Sequence, residues 1–222
     1  MATLTTYLAA TLLLAPSLPT GALAKHIMIP ATSFNSPTSF ATDWNHLYPW
    51  GSDHNGAARM AQSQTTLSGD GVLTLTARRV NGEKPASHGG QQIAIRYLSG
   101  AVHAREYFTV APGGGYDFAG EFRAPTARGT WPAFWLTAVQ GWPPEVDIAE
   151  WKGSGKISFN TFNTSSEVRA RDVAYPGAGG FHGILCEVRD VNGRDVSVRF
   201  LMDGQVVETQ YGRGFVGKAM YL

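Results

Sequence analysis

Cysteine is nearly absent from this sequence of 222 residues. Cys186 stands alone, so a disulfide within the chain is excluded. The thiol lies in the segment Gly-Ile-Leu-Cys-Glu-Val, where residues alternate as they do in a β-strand. This setting favours a buried, unreactive cysteine. Without a disulfide, the folded state has to depend on a hydrophobic core.

Charge is scarce and balanced. Charged residues make up 16% of the chain, and 18 basic side chains oppose 17 acidic ones, which gives a net charge of +1. Proteins that bind nucleic acid or anionic membranes carry an excess of positive charge that attracts these partners. We therefore expect neither partner.

Long apolar runs are missing as well. The apolar run at residues 7–18 is too short to cross a bilayer, and it leads into Ala22-Leu23-Ala24, a pattern typical of signal-peptide cleavage. We predict a secretory signal peptide at residues 1–24 and a secreted, extracellular protein with no membrane span. In a secreted chain, Asn163-Thr164-Ser165 is a sequon for N-glycosylation.

Helical periodicity is also absent, since apolar residues nowhere recur at helical spacing over three turns. The 26 Gly, 12 Pro, six Trp, eight Tyr and 11 Phe favour short strands joined by tight turns. Strands are predicted at residues 72–77, 92–97, 101–108, 116–123, 129–137, 146–151, 156–161, 183–188, 196–201 and 205–209. We expect one all-β domain at residues 25–222, an antiparallel β-sandwich or jelly roll, with loops and short strands at residues 25–60.

The last residues, 217–222, resemble the beginning of an apolar strand rather than a polar, frayed terminus. We therefore expect that the chain is truncated and that one or more C-terminal strands are missing.

Three acidic residues lie close together in the segment Glu145-Val146-Asp147-Ile148-Ala149-Glu150. In a regular strand, Glu145 and Asp147 share one face while Glu150 points to the other. A β-bulge at residues 148–149 would return Glu150 to the acidic face. Crowded carboxyl groups raise one another's proton affinity, so one of them can stay protonated near neutral pH.

Cleavage of a glycosidic bond needs a protonated carboxyl group beside an ionised one. At a separation of roughly 5 to 5.5 Å, the ionised group attacks the sugar and the reaction proceeds with retention. A solvated acidic edge strand and a calcium site are the alternative interpretations of this segment.

Tryptophans flank the acidic segment. Trp131 and Trp135 share one face by strand parity, Trp142 precedes the first glutamate by three residues, and Trp151 follows the last one. Indole rings stack on the C–H faces of sugars, so we interpret Trp131, Trp135 and Trp142 as substrate-binding residues. Core packing is the alternative for any one of them.

The polar residues His46, Asp53 and His54 lie in an aromatic stretch of the N-terminal half. Their spacing does not match a metal site, and we predict no metal ligands there. We interpret them as loop residues that could rim a cleft.

The Glu-x-Asp-x-x-Glu segment and the preceding Gly-Thr-Trp-Pro-Ala-Phe-Trp-Leu, residues 129–136, resemble the signature of glycoside hydrolase family 16. This family contains laminarinases and mixed-linkage glucanases. Further similarity at residues 71–77, 116–125 and 200–204 extends the resemblance over most of residues 70–222. It implies a jelly-roll sandwich whose concave sheet forms a substrate cleft.

For the site, the resemblance implies that Glu145 is the nucleophile, Glu150 the acid/base and Asp147 the residue that modulates the charge between them. The three tryptophans named above would line the glycone-side subsites. No cofactor is implied, although a structural calcium ion is known in such families. Gly153 is kept after the site, and Asn160 stands near a position where a histidine is often found.

These features predict a secreted, monomeric enzyme that hydrolyses β-1,3- and/or β-1,3-1,4-glucans. A transglycosylase or a galactan hydrolase on the same fold is the first alternative. A non-catalytic lectin-like module is the second, and the crowded acidic residues disfavour it because a lectin has no use for them.

Overall fold

Short strands dominate the folded chain, as its glycine and proline content predicts. The computed structural model describes residues 26–222, so the predicted signal peptide at residues 1–24 lies outside the described range. Residues 26–30 belong to a separate unit, whose described part has no helix or strand. The fold below is that of residues 31–222.

In chain order the strands are β1 (Trp44–His46), β2 (Ala58–Met60), β3 (Thr65–Leu67), β4 (Leu73–Leu75), β5 (Arg78–Arg79), β6 (Ala86–His88), β7 (Gln91–Ile93), β8 (Tyr97–Ser99), β9 (Val102–Ala104), β10 (Phe108–Thr109), β11 (Gly115–Phe122), β12 (Ala133–Ala138), β13 (Glu145–Glu150), β14 (Lys156–Thr164), β15 (Glu167–Ala174), β16 (His182–Asp190), β17 (Val196–Met202), β18 (Gln205–Gly212) and β19 (Ala219–Tyr221).

The described strands form two large antiparallel sheets. The larger sheet has the order β10-β19-β12-β13-β14-β15, and the second has the order β11-β16-β17-β18. The other strands of the described chain pair in small sheets of two or three. This architecture confirms the predicted all-β sandwich of the jelly-roll type.

The hydrophobic core lies between the two large sheets. Val146, Ile148 and Phe159 of the larger sheet are fully buried, as are Cys186 and Phe200 of the second sheet. The ring centroids of Phe159 and Phe200 lie 5.4 Å apart. Burial of each large apolar side chain contributes about 1.5–3 kcal/mol to stability. The prediction of a buried thiol is confirmed, and burial raises the pKa of Cys186 far above its usual range.

The prediction of loops and short strands at residues 25–60 is wrong at two places, where Ala31–Phe34 form a 3₁₀-helix and Pro37–Asp43 form a short α-helix, α1. The Ser36 hydroxyl accepts a hydrogen bond from the Ser39 backbone N–H, and the Ser39 hydroxyl accepts one from the Ser36 N–H, each at 3.0 Å. This capping box, followed by a proline, starts the helix. Seven residues are too few to show the three turns of periodicity that the prediction required. Within residues 26–222, no helix has the length and apolar character needed to cross a membrane.

Strand β15 is the element of the larger sheet that the sequence patterns did not identify. It lies at the edge of the sheet, and charged side chains such as Arg169 and Arg171 are exposed along it. Edge strands tolerate charge because one side has no partner strand. The predicted strand at residues 129–137 begins only at Ala133, and the one at 101–108 divides into two shorter strands.

Candidate active site

The acidic segment forms β13, which lies between β12 and β14 in the larger sheet. Asp147 pairs with Asn160, whereas Glu150 pairs with Ser158, so three steps along β13 match two along β14. The pairing with β12 shifts at the same point. This is the β-bulge predicted at residues 148–149. It places Glu150 on the same face as Asp147, while residues 148 and 149 are buried on the core side.

Two tryptophans donate indole N–H groups to the two glutamates. Nε1 of Trp142 lies 2.9 Å from Oε2 of Glu145, and Nε1 of Trp131 lies 2.6 Å from Oε1 of Glu150. Trp142 is 50% exposed and Trp131 is 63% exposed. The indoles therefore hold the carboxyl groups in place while their rings stay open to solvent.

Glu145 is the most accessible of the three acidic residues. Burial raises the pKa of Glu145, and the charge of Glu150 adds to this rise. Hydrogen bonds from Trp142 and Thr137 act in the opposite direction, because they stabilise the ionised form. The net shift is upward, so these two hydrogen bonds limit the rise in the pKa of Glu145 without cancelling it.

Asp147 and Glu150 are nearly inaccessible, at 5% and 7% exposure. The side-chain amide of Asn160 joins them, with Nδ2 at 2.8 Å from Oδ2 of Asp147 and 2.7 Å from Oε2 of Glu150. Burial, and next the charge of Glu150, raise the pKa of Asp147 to about 8. Near neutral pH, Asp147 therefore keeps a proton and lowers the negative charge between the glutamates.

Lys152 adds a positive charge at the end of β13. Its Nζ lies 2.9 Å from Oε2 of Glu150. The residue between them, Trp151, is 1% exposed and packs against Phe122 and Tyr175 at centroid distances of 5.9 and 5.5 Å. Trp151 is therefore a core residue, and its burial fixes the strand end from which Lys152 reaches the carboxylate.

Trp135 lies directly across the strands from Asp147, so both side chains share one face of the sheet. Its ring centroid is 6.4 Å from that of Tyr48, 6.1 Å from Trp50 and 6.0 Å from His54. We call these four residues the aromatic wall. Burial lowers the pKa of His54, so its imidazole is neutral near neutral pH.

The other two polar residues of the N-terminal half have partners of their own. Asp53 forms a salt bridge with Arg59 at 2.7 Å, and His46 packs against Phe40 at 4.8 Å between ring centroids. Of the three predicted rim residues, His54 is thus the one that joins the aromatic wall. Among residues 26–222, no group of three or more His, Cys, Asp and Glu side chains is arranged to hold a metal ion.

The structure brings the six site residues that the sequence identified to one face of the larger sheet and its border. Two further residues had no role assigned from the sequence. Asn160 was noted there only as standing near a position where a histidine is often found, and its contacts depend on register. Lys152 had a clearer signal, because it follows Glu150 by two residues and shares its face by strand parity.

Comparisons with known proteins extend these observations. No protein-family model matches the chain. The chain is 50% identical over 196 residues to a galactan endo-beta-1,3-galactanase of Flammulina velutipes, covering 88% of this chain and 78% of that protein. It is 35% identical over 126 residues to an endo-1,3-1,4-beta-glycanase of Rhizobium meliloti (strain 1021), covering 52% of this chain and 25% of that protein. The crystal structure of porphyranase B from Zobellia galactanivorans has the same fold, with a TM-score of 0.58 at 14% identity, over 82% of this chain and 72% of that one.

Proposed function

Because this chain belongs to glycoside hydrolase family 16, we propose that it is a retaining endo-glycosidase that cleaves internal β-1,3 linkages of a galactan, with Glu145 as nucleophile and Glu150 as acid/base. The observation that carries the proposal is the bulge in β13, which turns three carboxyl groups to one face beside two indole N–H donors. Like charges on one face of a sheet repel one another and lower stability. Glycoside hydrolysis needs such a pair of carboxyl groups, so catalysis accounts for the arrangement.

In the proposed reaction, the Glu145 carboxylate attacks the anomeric carbon of the sugar and forms a covalent glycosyl-enzyme. Glu150 gives a proton to the departing glycosidic oxygen. In the second step, Glu150 takes a proton from water, which attacks the anomeric carbon and releases Glu145. In the free enzyme, Asp147 assists by holding the proton that keeps the charge between the two glutamates low.

The sequence and the comparisons favour different substrates. The sequence predicts a β-glucan and keeps a galactan as the alternative. We place galactan first because the relative named as a galactanase is 50% identical over most of the chain. A β-1,3-1,4-glucan is the second candidate, supported by a relative that matches about half of the chain.

Substitution of the two glutamates tests the catalytic assignment. We expect Glu145→Gln and Glu150→Gln each to lower activity on β-1,3-galactan by roughly a thousandfold or more, because each removes a group that takes part in bond cleavage. Glu121→Gln, an exposed position on the second sheet, is the matched control and should keep full activity. Laminarin and lichenan, assayed in parallel, decide between galactan and glucan. Wild-type turnover in both site variants would show that the two-carboxylate mechanism is wrong.

Azide separates the roles of the two glutamates. Added to Glu145→Ala, azide should take the place of the missing nucleophile and give a glycosyl azide of inverted configuration. With Glu150→Ala it should instead attack the covalent intermediate and give the retained configuration. The opposite pair of products would exchange the two assignments.

Secretion is a further part of the proposal, and it is supported by the apolar run and cleavage pattern at residues 1–24. We expect protein recovered from the culture medium to begin at Lys25, which N-terminal sequencing can establish. Protein retained in cells with residues 1–24 attached would contradict this expectation.

A further inference from the structure

The positive charge beside the proposed acid/base is not required by two-carboxylate hydrolysis as such. Lys152 reaches Oε2 of Glu150 at 2.9 Å, and its side chain is 39% exposed whereas that of Glu150 is 9% exposed. An ammonium group thus enters the acidic face from the solvent side. A cation bonded to a carboxyl group stabilises its ionised form, which opposes the donation of a proton by the proposed acid.

Two of the donors around Glu150 compete with its role as an acid, because they occupy the same carboxylate oxygen. Trp131 donates to Oε1, while Asn160 and Lys152 both donate to Oε2. A carboxylate oxygen has two lone pairs, so Oε2 can carry a proton toward a glycosidic oxygen only after Asn160 or Lys152 has left it. Asn160 is 3% exposed, whereas the Lys152 side chain is partly exposed and has solvent beside it, so Lys152 is the donor that substrate can displace.

The acidic side chains that interact with Glu150 lie on its own strand, and its partners on the neighbouring strands are uncharged. Glu145 and Asp147 lie on the same strand, and both interact electrostatically with Glu150. From β14, Ser158 is its backbone partner, and the Ser158 hydroxyl donates to Asp172 of β15 at 2.7 Å. The partner on β12 is an alanine. The positive charge of Lys152 therefore partly neutralises the negative charge around Glu150.

We propose that Lys152 is a positioning residue for this reaction, which holds Glu150 in the free enzyme through its salt bridge and limits activity at alkaline pH. The inference rests on the proposed function, since it takes Glu150 as the acid/base. Substrate displaces the ammonium group, and the proton held on Asp147 then becomes available to Glu150.

The direction of the effect follows from charge. A cation near a carboxyl pair stabilises its deprotonated form, so removing the cation lets the pair keep its proton to higher pH. We expect the alkaline limb of kcat/KM to move up by roughly one pH unit in Lys152→Met. The limb of kcat should move less, because kcat reports the complex, in which Lys152 has already been displaced.

Matched variants separate this role from a general loss of charge. Lys152→Arg keeps the cation and should retain the wild-type limb of kcat/KM. Lys156→Met removes an exposed lysine at the start of β14 and should also leave the limb in place. High salt should shift the wild-type limb toward that of Lys152→Met, because the partly exposed ammonium is screened. Identical limbs in wild type and Lys152→Met would overturn the inference.

A titration that needs no activity makes the two failures distinguishable. In protein with ¹³C-labelled Asp and Glu carboxyl groups, NMR follows the signal that titrates near pH 8, which we assign to Asp147. This signal should move to higher pH in Lys152→Met and stay unchanged in Lys156→Met. If it does not move, the role of Lys152 is wrong. If it moves while Glu145→Gln and Glu150→Gln remain fully active, the proposed function is wrong instead.

Discussion

At the residue scale, three carboxyl groups of similar chemistry are separated by their surroundings. Asp147 is buried against Asn160 and next to Glu150, which makes its charged form unfavourable. Glu145 sits nearer to solvent and accepts bonds from Trp142 and Thr137. Burial therefore raises the pKa at both positions, and the hydrogen bonds from Trp142 and Thr137 limit the rise at Glu145.

The raised pKa of Asp147 links stability to pH. Its pKa is about 8 in the folded state against 3.8 as the ordinary value, so the folded state binds this proton more tightly than the unfolded state. The contribution is fully present below about pH 4 and is lost as the pH rises through about 8. We expect urea unfolding to show a decrease on the order of a few kcal/mol across this window.

The variant Asp147→Asn should lose this part of the pH dependence, because it keeps an uncharged side chain at every pH. Asp43→Asn, at the end of helix α1, is the matched control and should keep the wild-type slope. A wild-type slope in Asp147→Asn would contradict the assignment of the proton to Asp147.

At the element scale, backbone features that align the strands matter more than single side chains. The bulge in β13 places Glu150 on the outer face, and without it this carboxyl group would point into the core at a cost of several kcal/mol. A second such feature is Gly100, between β8 and β9. A Cβ atom there would lie 2.5 Å from the backbone oxygen of Gln64.

We expect Gly100→Ala to destabilise the protein by about 1–3 kcal/mol, because the obstacle is backbone and cannot move aside like a side chain. For a chain of this size, this corresponds to a fall in Tm of roughly 2–12 °C. Gly179→Ala is the control, since its Cβ meets no atom within 4 Å. Equal melting temperatures for the two variants would show that the strands can adjust at this point.

At the scale of the whole molecule, stability depends on the contact between the two sheets. Cys186 lies inside that contact with 0% exposure. Because burial also raises the pKa of its thiol, a thiol reagent reaches Cys186 only when the sandwich opens.

We expect labelling of native Cys186 to be slower than in concentrated urea by roughly a thousandfold or more. A Cys186→Ala protein that carries Ser87→Cys, at an exposed position, should react rapidly under native conditions and serves as the control. Rapid labelling of native Cys186 would mean that the core opens locally without global unfolding.

The sequence by itself determined the fold class, the acidic strand and its bulge, and the family to which the chain belongs. The fold class, the acidic strand and its bulge follow from alternation and spacing, which are local and visible in the order of residues. The family follows from the resemblance of residues 129–136 and 145–150 to a known signature. The pattern failed for α1, which is too short to show a period, and for β15, whose charged edge hides its alternation.

Only the tertiary structure decided which groups meet the three carboxyl groups. Asn160 reaches Asp147 and Glu150 because β14 is held at one register, and the aromatic wall forms because residues near position 50 fold over Trp135. Such contacts join segments that lie ten or more residues apart, so they depend on strand pairing and packing rather than on local spacing. The acidic strand was readable from the sequence, whereas the donors that distribute its protons became visible only in the folded sheet.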